Sequence, residues 1–167
     1  DGIRDDLVTG VQTCALPMSH GATPLGGPLL DLGCGWGPIA LSAALTHPDA
    51  EIWAVDINER ARSLASANAA RLGLENLRVA APADVPTAVE FAEIHSNPPI
   101  RIGKQALHAL LAQWLPRLAP GGSATLVVAK HLGADSLQSW IAAEFPELTV
   151  TRIARDKGFS VIKAVKG

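Results

Sequence analysis

The chain has 167 residues, of which 48% are hydrophobic and 18% are charged, and its formal net charge at pH 7 is −2. This length and composition predict one globular domain with a two- or three-layer core, and they exclude a disordered chain. A net charge so close to zero excludes a uniformly basic surface for nucleic acid, and no apolar run approaches the roughly 20 residues of a membrane span.

The first seventeen residues differ in character from the rest of the chain. Residues 8–17 (VTGVQTCALP) resemble the in-frame translation of a common sequencing adapter, and they have neither the basic start nor the apolar stretch of a signal peptide. We therefore expect residues 1–17 to be a non-native tail, and residues 18–167 to form one domain that is truncated at its N-terminus. A genuine disordered tail is the alternative.

From Gly26 onward, strand-like and helix-like segments alternate. The first four strands are predicted at 29–32, 51–56, 77–80 and 91–96. Between them, helices are predicted at 38–45, with Pro38 near its start, and at 59–72, with Asn58 as N-cap and Gly73 after its end. Such alternation is typical of a parallel sheet with helices packed on its faces.

The second half begins with the clearest helix, at 104–118. It carries one apolar stripe at helical spacing, formed by Leu107, Leu110, Leu111, Trp114, Leu115 and Leu118. A strand at 124–129, a helix at 136–145 and strands at 148–153 and 159–165 follow, and the turn before Phe159 makes the last two an antiparallel hairpin. The sequence thus predicts an α/β, Rossmann-like three-layer sandwich, whose mostly parallel seven-stranded sheet ends in an antiparallel hairpin.

A glycine-rich turn is predicted between the first strand and the first helix, at residues 31–37 (DLGCGWG). Glycines in such a turn adopt positive φ and let a nucleotide-like ligand approach the backbone without a Cβ in the way. A dinucleotide site prefers its third glycine one residue later, where this chain has Pro38, so a dehydrogenase is disfavoured. Two acidic residues accompany this turn. Asp31 is the first residue of the segment, and Asp56 ends the next predicted strand.

Some sixty residues later, the fourth strand runs into Asn97-Pro98-Pro99-Ile100. Together with the glycine turn, this quartet resembles the corresponding motifs of class I S-adenosylmethionine-dependent methyltransferases, and the resemblance covers residues 26–167. It implies the class I methyltransferase fold, with 18–167 as the catalytic domain, and an enzyme of class EC 2.1.1.-. S-adenosylmethionine would be the methyl donor and S-adenosylhomocysteine the product.

The resemblance also implies which residues hold the cofactor. Asp31 would lie near the methionine amino group, Asp56 would accept from the two ribose hydroxyls with Asn58 in support, and Asp84 is a candidate for the adenine amine. The full cofactor set is Asp31, Gly33, Cys34, Gly35, Gly37, Asp56, Asn58, Asp84 and Asn97. Two alternatives stay open, since Asp56 could be a plain strand-end cap and Asp84 a solvated loop residue.

The catalytic residues implied are Asn97, Pro98 and Pro99. A planar exocyclic amine has its lone pair delocalised into the base, so two acceptors that grip its N–H bonds can aim that lone pair at the donor. The Asn97 side-chain oxygen and the Pro98 carbonyl suit that task, and the prolines make the loop rigid. Without the glycine turn, the same quartet would be an ordinary turn.

The longer pattern at 96–104 (SNPPIRIGK) resembles the small-subunit ribosomal RNA guanine-N2 methyltransferases of the small-domain family. Ile100 stands where adenine-N6 and release-factor glutamine methyltransferases carry an aromatic residue. Relatives carry an acid shortly before the quartet, and Glu93 lies near that place. The resemblance implies that Ile100, Arg101 and Lys104 contact substrate, and a base in folded RNA would be extruded to reach Asn97.

The local charge agrees with an RNA substrate. No acidic residue lies between Glu93 and Asp135, a stretch with four lysines and arginines. The alternative is that these basic residues form an ordinary solvent-exposed helix face without a function in RNA binding. Ribosomal RNA or the small ribosomal subunit is the expected partner. The two cysteines, Cys14 and Cys34, form no metal-ligand pattern, so we expect no metal and a cytoplasmic protein.

Two other functions remain open at this point. One is a methyltransferase that acts on a protein amide or a small-molecule amine. The other is a non-catalytic module of the same fold that binds RNA or a partner protein.

Overall fold

The computed structural model describes residues 25–98, 103–129, 133–156 and 158–167. Within these residues, seven strands form one sheet in the order β3-β2-β1-β4-β5-β7-β6. The strands are β1 (Leu29–Leu32), β2 (Ile52–Val55), β3 (Leu77–Ala80), β4 (Phe91–Ser96), β5 (Leu118–Ala129), β6 (Leu148–Asp156) and β7 (Phe159–Lys166). Strands β1 to β5 pair in parallel, and β7 is antiparallel to both β5 and β6.

Four helices connect the strands: α1 (Pro38–Thr46), α2 (Glu59–Arg71), α3 (Lys104–Trp114) and α4 (Ala134–Glu144). Apolar side chains of α1 and α2 pack on one face of the sheet, while α3 and α4 cover the other face with the larger core. The structure therefore has three layers, and the predicted fold class is confirmed.

The apolar stripe of α3 lies in the larger core, as predicted. Leu107, Leu111 and Trp114 are at most 1% exposed, and Leu110 is partly buried at the edge of the cluster. The helix was predicted to continue to residue 118, but it ends at Trp114 and a 3-10 turn follows at Leu115–Arg117. Pro116 explains the early end, because proline has no N–H to donate to the preceding helical turn.

Strand β5 begins six residues before its predicted start. Its pairing with β4 is interrupted, because Phe91 lies opposite Leu118 whereas Glu93 lies opposite Ser123. Gly122 sits at this irregularity, where an added Cβ would lie 2.9 Å from the Phe91 carbonyl oxygen and 3.0 Å from the Ala92 carbonyl oxygen of β4. A glycine is therefore required for the two strands to approach each other closely.

The parallel register brings the ends of β1 and β4 together. Leu32 and Ser96 are direct partners across the two strands, and the Ser96 hydroxyl donates to the Leu32 carbonyl at 2.9 Å. The chain leaves the sheet at the next residue of each strand, Gly33 and Asn97. The glycine turn and the Asn97 loop thus start side by side at the carboxyl edge of the sheet, where ligands bind in open α/β sheets.

Candidate active site

The glycine turn is held against the end of β2 by its own backbone. The amides of Gly33 and Cys34 both donate to the Val55 carbonyl, at 2.8 and 3.1 Å. Gly33 and Gly35 have positive φ angles of 77° and 56°, and a Cβ built on either one would meet nothing within 4 Å. The open side of the turn is therefore free for a ligand to contact backbone.

Gly37 is needed for helix packing, whereas Gly33 and Gly35 leave space for a ligand. The φ of Gly37 is 93°, and an added Cβ would lie 3.3 Å from the Ala65 Cβ and 3.5 Å from the Leu41 Cγ. This glycine lets α1 pack closely against α2. Nearby, the Asn68 side chain donates to the Trp36 carbonyl at 3.2 Å, so α2 also fixes the middle of the turn.

Asp56 is half-buried, and backbone amides fix both of its carboxylate oxygens. Its Oδ2 accepts from the Gly35 amide at 2.9 Å, and its Oδ1 accepts from the Asn58 amide at 2.8 Å. Each carboxylate oxygen has two lone pairs, so each can accept one further bond. The role of strand-end cap and the predicted role of diol acceptor are therefore compatible in one side chain.

Asn58 caps α2, as predicted from the sequence. Its side-chain oxygen accepts from the amides of Arg60 and Ala61, which satisfies two of the free donors at the helix start. The Arg62 guanidinium donates to the carbonyls of Asp56 and Ile57 and closes the same loop. The structure thus places Asn58 behind Asp56, where it supports the loop that carries the carboxylate.

Asp31 is only 1% exposed, at the end of β1 that leads into the glycine turn. We call the glycine turn, together with Asp31 and Asp56, the cradle. Its Oδ2 accepts from the Ala40 amide in the first turn of α1 at 3.0 Å. Burial raises the pKa of Asp31 to about 7, against the lowering effect of the Ala40 hydrogen bond. The carboxyl group can therefore change its charge near neutral pH when a cation arrives beside it.

Cys34 lies in the turn but cannot act as a nucleophile. It is buried, and burial raises the pKa of its thiol to about 12, with the nearby Asp31 and Asp56 carboxylates acting in the same direction. A thiol that stays protonated at neutral pH packs as a small apolar residue. Its contribution to the cradle is the backbone amide described above.

The quartet after β4 is described only in part. Asn97 is half-buried and Pro98 is buried, beside the glycine turn. Pro99, Ile100 and Arg101 lie outside the described residues. Lys104, the first residue of α3, is exposed, and His108 one turn later stacks on Trp140 with ring centroids 3.8 Å apart. Of the predicted substrate residues, Lys104 alone can be located, and it faces solvent.

Asp84, Ile57 and Trp36 lie in the loops that follow β3, β2 and β1. Asp84 is exposed in a 3-10 turn, Pro82–Asp84, that follows β3. Ile57 is 84% exposed directly after Asp56, and Trp36 is 41% exposed in the glycine turn.

A hydrogen bond between two side chains of β4 was not predicted from the sequence. His95 is 7% exposed, and its Nε2 lies 2.9 Å from the Glu93 Oε2. Residues two apart on a strand point to the same face, so this pairing could have been predicted from the strand alone.

These residues suit a ligand with a nucleoside and a cationic group. Backbone is open at Gly33 and Gly35, a bidentate carboxylate lies at one end of the turn, and a buried carboxyl lies at the other. The described part of the chain contains no group of three or more side chains that could hold a metal ion. No helix within the described ranges is long and apolar enough to cross a membrane.

Comparison with known proteins gives a family match over most of the chain. The model of the methyltransferase small domain family matches residues 12–163. YbxB of Bacillus subtilis (strain 168) is 38% identical over 143 residues, which cover 84% of this chain and 70% of that protein.

Two relatives with named substrates are longer proteins. The release factor glutamine methyltransferase of Bordetella pertussis is 39% identical over 124 residues, covering 73% of this chain and 44% of that protein. Ribosomal RNA small subunit methyltransferase C of Pseudomonas aeruginosa is 33% identical over 111 residues, which cover 64% of this chain and 33% of that protein. This chain spans less than half the length of either relative.

A solved structure shares the fold. The Thermus thermophilus 16S rRNA N2 G1207 methyltransferase, in complex with AdoMet and guanosine, superposes with a TM-score of 0.72 at 20% identity. The superposition covers 94% of this chain and 42% of that chain. The likeness supports the same seven-stranded arrangement with a terminal antiparallel hairpin.

Proposed function

The chain belongs to the methyltransferase small domain family of class I S-adenosylmethionine-dependent methyltransferases, and we propose that it methylates an exocyclic amine, guanine N2 of ribosomal RNA. The observation that supports this proposal best is the position of Asn97. The register of β1 and β4 starts the Asn97 loop beside the glycine turn. An amide acceptor at that place is suited to hold a nitrogen nucleophile against a donor in the cradle.

The residues of the cradle fit the donor in charge and shape. Asp31 would accept from the amino group, Asp56 would accept from both ribose hydroxyls, and the open backbone at Gly33 and Gly35 would lie against the ligand. Asp84 would stand at the adenine end of the site. When bound, S-adenosylmethionine supplies a methyl group on a positively charged sulfur, which is a good leaving group without protonation.

On the acceptor side, Asn97 and Pro98 would hold the amine. The Asn97 side-chain oxygen and the Pro98 carbonyl each accept one N–H bond, which turns the lone pair toward the donor. Both acceptors are at least half removed from solvent, so they compete little with water for those bonds. The proton that the amine loses passes to solvent afterwards, and no strong general base is needed before attack.

RNA is the favoured substrate class for two reasons. Ribosomal RNA small subunit methyltransferase C is among the relatives, and the motif at 96–104 is closer to that group than to the aromatic-bearing motif of glutamine methyltransferases. The exposed Lys104 opens a helix with no acidic residue, so a phosphate can approach it. A small ribosomal subunit as substrate would place the protein in the cytoplasm.

The second candidate is methylation of a protein amide. The relative from Bordetella pertussis favours it, because that protein is a release factor glutamine methyltransferase and matches 73% of this chain. A glutamine side chain presents a planar NH₂ group with the same two donors as guanine N2. The two substrates would therefore use the same Asn97 and Pro98 acceptors.

A methyl-transfer assay distinguishes the two. The purified chain is incubated with tritiated S-adenosylmethionine and, separately, with small ribosomal subunits, naked 16S ribosomal RNA and release factor. We expect label in RNA, and hydrolysis to nucleosides should give N2-methylguanosine. Label in protein alone would overturn the RNA assignment in favour of the second candidate.

The role of Asn97 is tested with Asn97→Ala. Methyl transfer should fall by about 100-fold or more, as when a single positioned hydrogen bond is removed from an active site, while S-adenosylhomocysteine affinity changes less than about threefold. Gln113→Ala removes an exposed carboxamide from α3 and serves as the matched control. Unchanged transfer by Asn97→Ala would exclude this mechanism and leave a binding module as the remaining interpretation.

A further inference from the structure

A row of polar side chains crosses the sheet at the level of Asp31. The strand register places Asp31 of β1 beside His95 of β4, His95 beside Thr125 of β5, and Thr125 beside Lys163 of β7. Residues in register on neighbouring strands point to the same face of the sheet. The Ala40 amide that binds Asp31 belongs to α1, so the row lies on the face that α1 and α2 cover.

Three members of this row are removed from water. Asp31 is 1% exposed, and His95 and Thr125 are each 7% exposed. Polar and ionisable groups are uncommon at such positions, because burying them without partners destabilises the fold. Packing alone therefore does not explain why these polar side chains occupy buried positions.

Glu93 fixes the ring of His95. The two residues are two apart on β4, and the Nε2 of the ring lies 2.9 Å from the Glu93 Oε2. This hydrogen bond lowers the pKa of Glu93, although partial burial acts in the opposite direction. Glu93 is thus a carboxylate at neutral pH, and it favours a ring that carries a proton on Nε2.

Asp31 is the group that this pair affects most. Burial works against its ionisation, the Ala40 hydrogen bond and the charge of His95 work for it, and the charge of Asp56 works against it. Because Ala40 occupies one carboxylate oxygen, the other can accept from the amino group of a cofactor. A protonated Asp31 would offer that amino group much weaker electrostatic attraction than a carboxylate.

We propose that His95, held in place by Glu93, is a positioning residue that favours the ionised form of the Asp31 carboxylate for the ammonium group of the cofactor. This inference rests on the proposed function, because it requires that the cradle bind an amino-acid-bearing nucleoside. His95 does not touch the ligand; it acts through Asp31. The arrangement is a carboxylate, an imidazole and a second carboxylate, ordered from β4 toward the cradle.

Other charged groups near the row also affect the ionisation of Glu93 and Asp31. Lys163 of β7 and His47, just after α1, both act on Glu93 and favour its ionised form. Asp56 faces Asp31 across the cradle and opposes its ionisation, and the Cys34 thiol beside them stays neutral. His95 is the direct register partner of Asp31, so its removal alters the surroundings of Asp31 more directly than removal of Lys163 or His47.

The test compares two ligands across pH. S-adenosylhomocysteine carries the amino group, while 5′-methylthioadenosine keeps the nucleoside and lacks it. Isothermal titration of the wild-type chain from pH 5.5 to 7.5 should show S-adenosylhomocysteine affinity rising with pH, because Asp31 loses its proton in the upper part of that range. The amino group itself stays protonated there, because the adjacent carboxylate of the free amino acid raises its pKa above that of a peptide α-amino group. Methylthioadenosine affinity should stay flat.

His95→Gln is the diagnostic variant. Without the imidazole of His95, the pH at which S-adenosylhomocysteine affinity rises should move upward by about 0.5 to 1 unit, so that affinity at pH 6.5 falls by about three- to tenfold. Methylthioadenosine binding should not change. Glu93→Gln should shift the pH dependence of S-adenosylhomocysteine affinity in the same direction but by a smaller amount. Because the Glu93 side chain is 38% exposed, this variant offers a second measurement should His95→Gln fold poorly.

His108→Gln, on the opposite face of the sheet, is the matched control and should leave the pH dependence unchanged. An identical pH dependence in wild type, His95→Gln and Glu93→Gln would overturn the inference while leaving the proposed function intact. Equal loss of both ligands in His95→Gln would also overturn it, because that result indicates a structural role. Failure of the wild-type chain to bind either ligand would instead refute the proposed function, and this inference with it.

Discussion

Replacing Gly37 by alanine should destabilise the protein by about 2–5 kcal/mol, whereas the same change at Gly35 should cost only about 1–2 kcal/mol. Both glycines have positive φ, and a non-glycine residue in that conformation costs about 1–2 kcal/mol. At Gly37 the new Cβ would also lie 3.3 Å from the Ala65 Cβ, and overpacking of this kind adds about 1–3 kcal/mol. At Gly35 nothing lies within 4 Å, so that second cost is absent.

Urea unfolding of the two variants measures both values, and Ala65→Gly separates the two contributions at Gly37. In the Ala65→Gly background, the contact is gone, so Gly37→Ala should cost about as much as Gly35→Ala does in the wild type. Equal destabilisation by Gly35→Ala and Gly37→Ala, or no relief from Ala65→Gly, would refute the packing argument. Gly35→Ala should in turn lose most of its S-adenosylhomocysteine affinity, because its Cβ points into the open side of the turn.

Two further predictions concern the acids of the cradle. The pKa of Asp31 is raised to about 7, so the folded protein holds an extra proton above the usual range of a carboxyl, and the unfolding free energy should fall as pH rises from about 4 to 7. In wild type, the loss of unfolding free energy between pH 5 and 8 should be about 2–4 kcal/mol in urea titrations, and Asp31→Asn should remove this pH dependence. The same variant should also abolish S-adenosylhomocysteine binding. Asp56→Asn should leave the Gly35 or the Asn58 amide without an acceptor, which costs about 1–3 kcal/mol in the same unfolding assay and weakens cofactor binding by about tenfold or more in titration calorimetry. Unaltered binding by Asp56→Asn would contradict its role as diol acceptor.

The elements of this fold could be predicted because each has a local signal. Strands β1 and β2 are short, mostly apolar runs, and Asn58 and Gly73 stand at the ends of α2, where capping chemistry favours them. The start of β5 had no such signal. Residues 118–123 contain a proline and two glycines and are typical of a turn, and it is their pairing with other strands, Leu118 with Phe91 and Ser123 with Glu93, that makes them part of the strand.

The candidate site was predictable in composition but not in detail. The three glycines of the turn look alike in sequence, yet Gly37 is set apart by Ala65, which lies 28 positions later and on another helix. The link between His95 and Asp31 depends on β1 and β4 being neighbours, although β2 and β3 separate them along the chain. Local patterns find the residues, but only strand order shows which of them act on one another.

The buried Asp31 is the clearest sign that this sheet edge is organised for a charged ligand. The side chains that pack on this face around β1 are alanines, leucines and other apolar residues, and an apolar residue in place of Asp31 would suit them better. Two neighbours, the Ala40 amide and the His95 ring, offset part of the cost of its charge, but burial still dominates. A carboxylate that remains destabilising after such support does not contribute to the stability of the free protein. Under the proposed function, its cost would be recovered when the ammonium group of the cofactor binds beside it, and for that reason cofactor binding and apo-protein stability should change in opposite directions at this position.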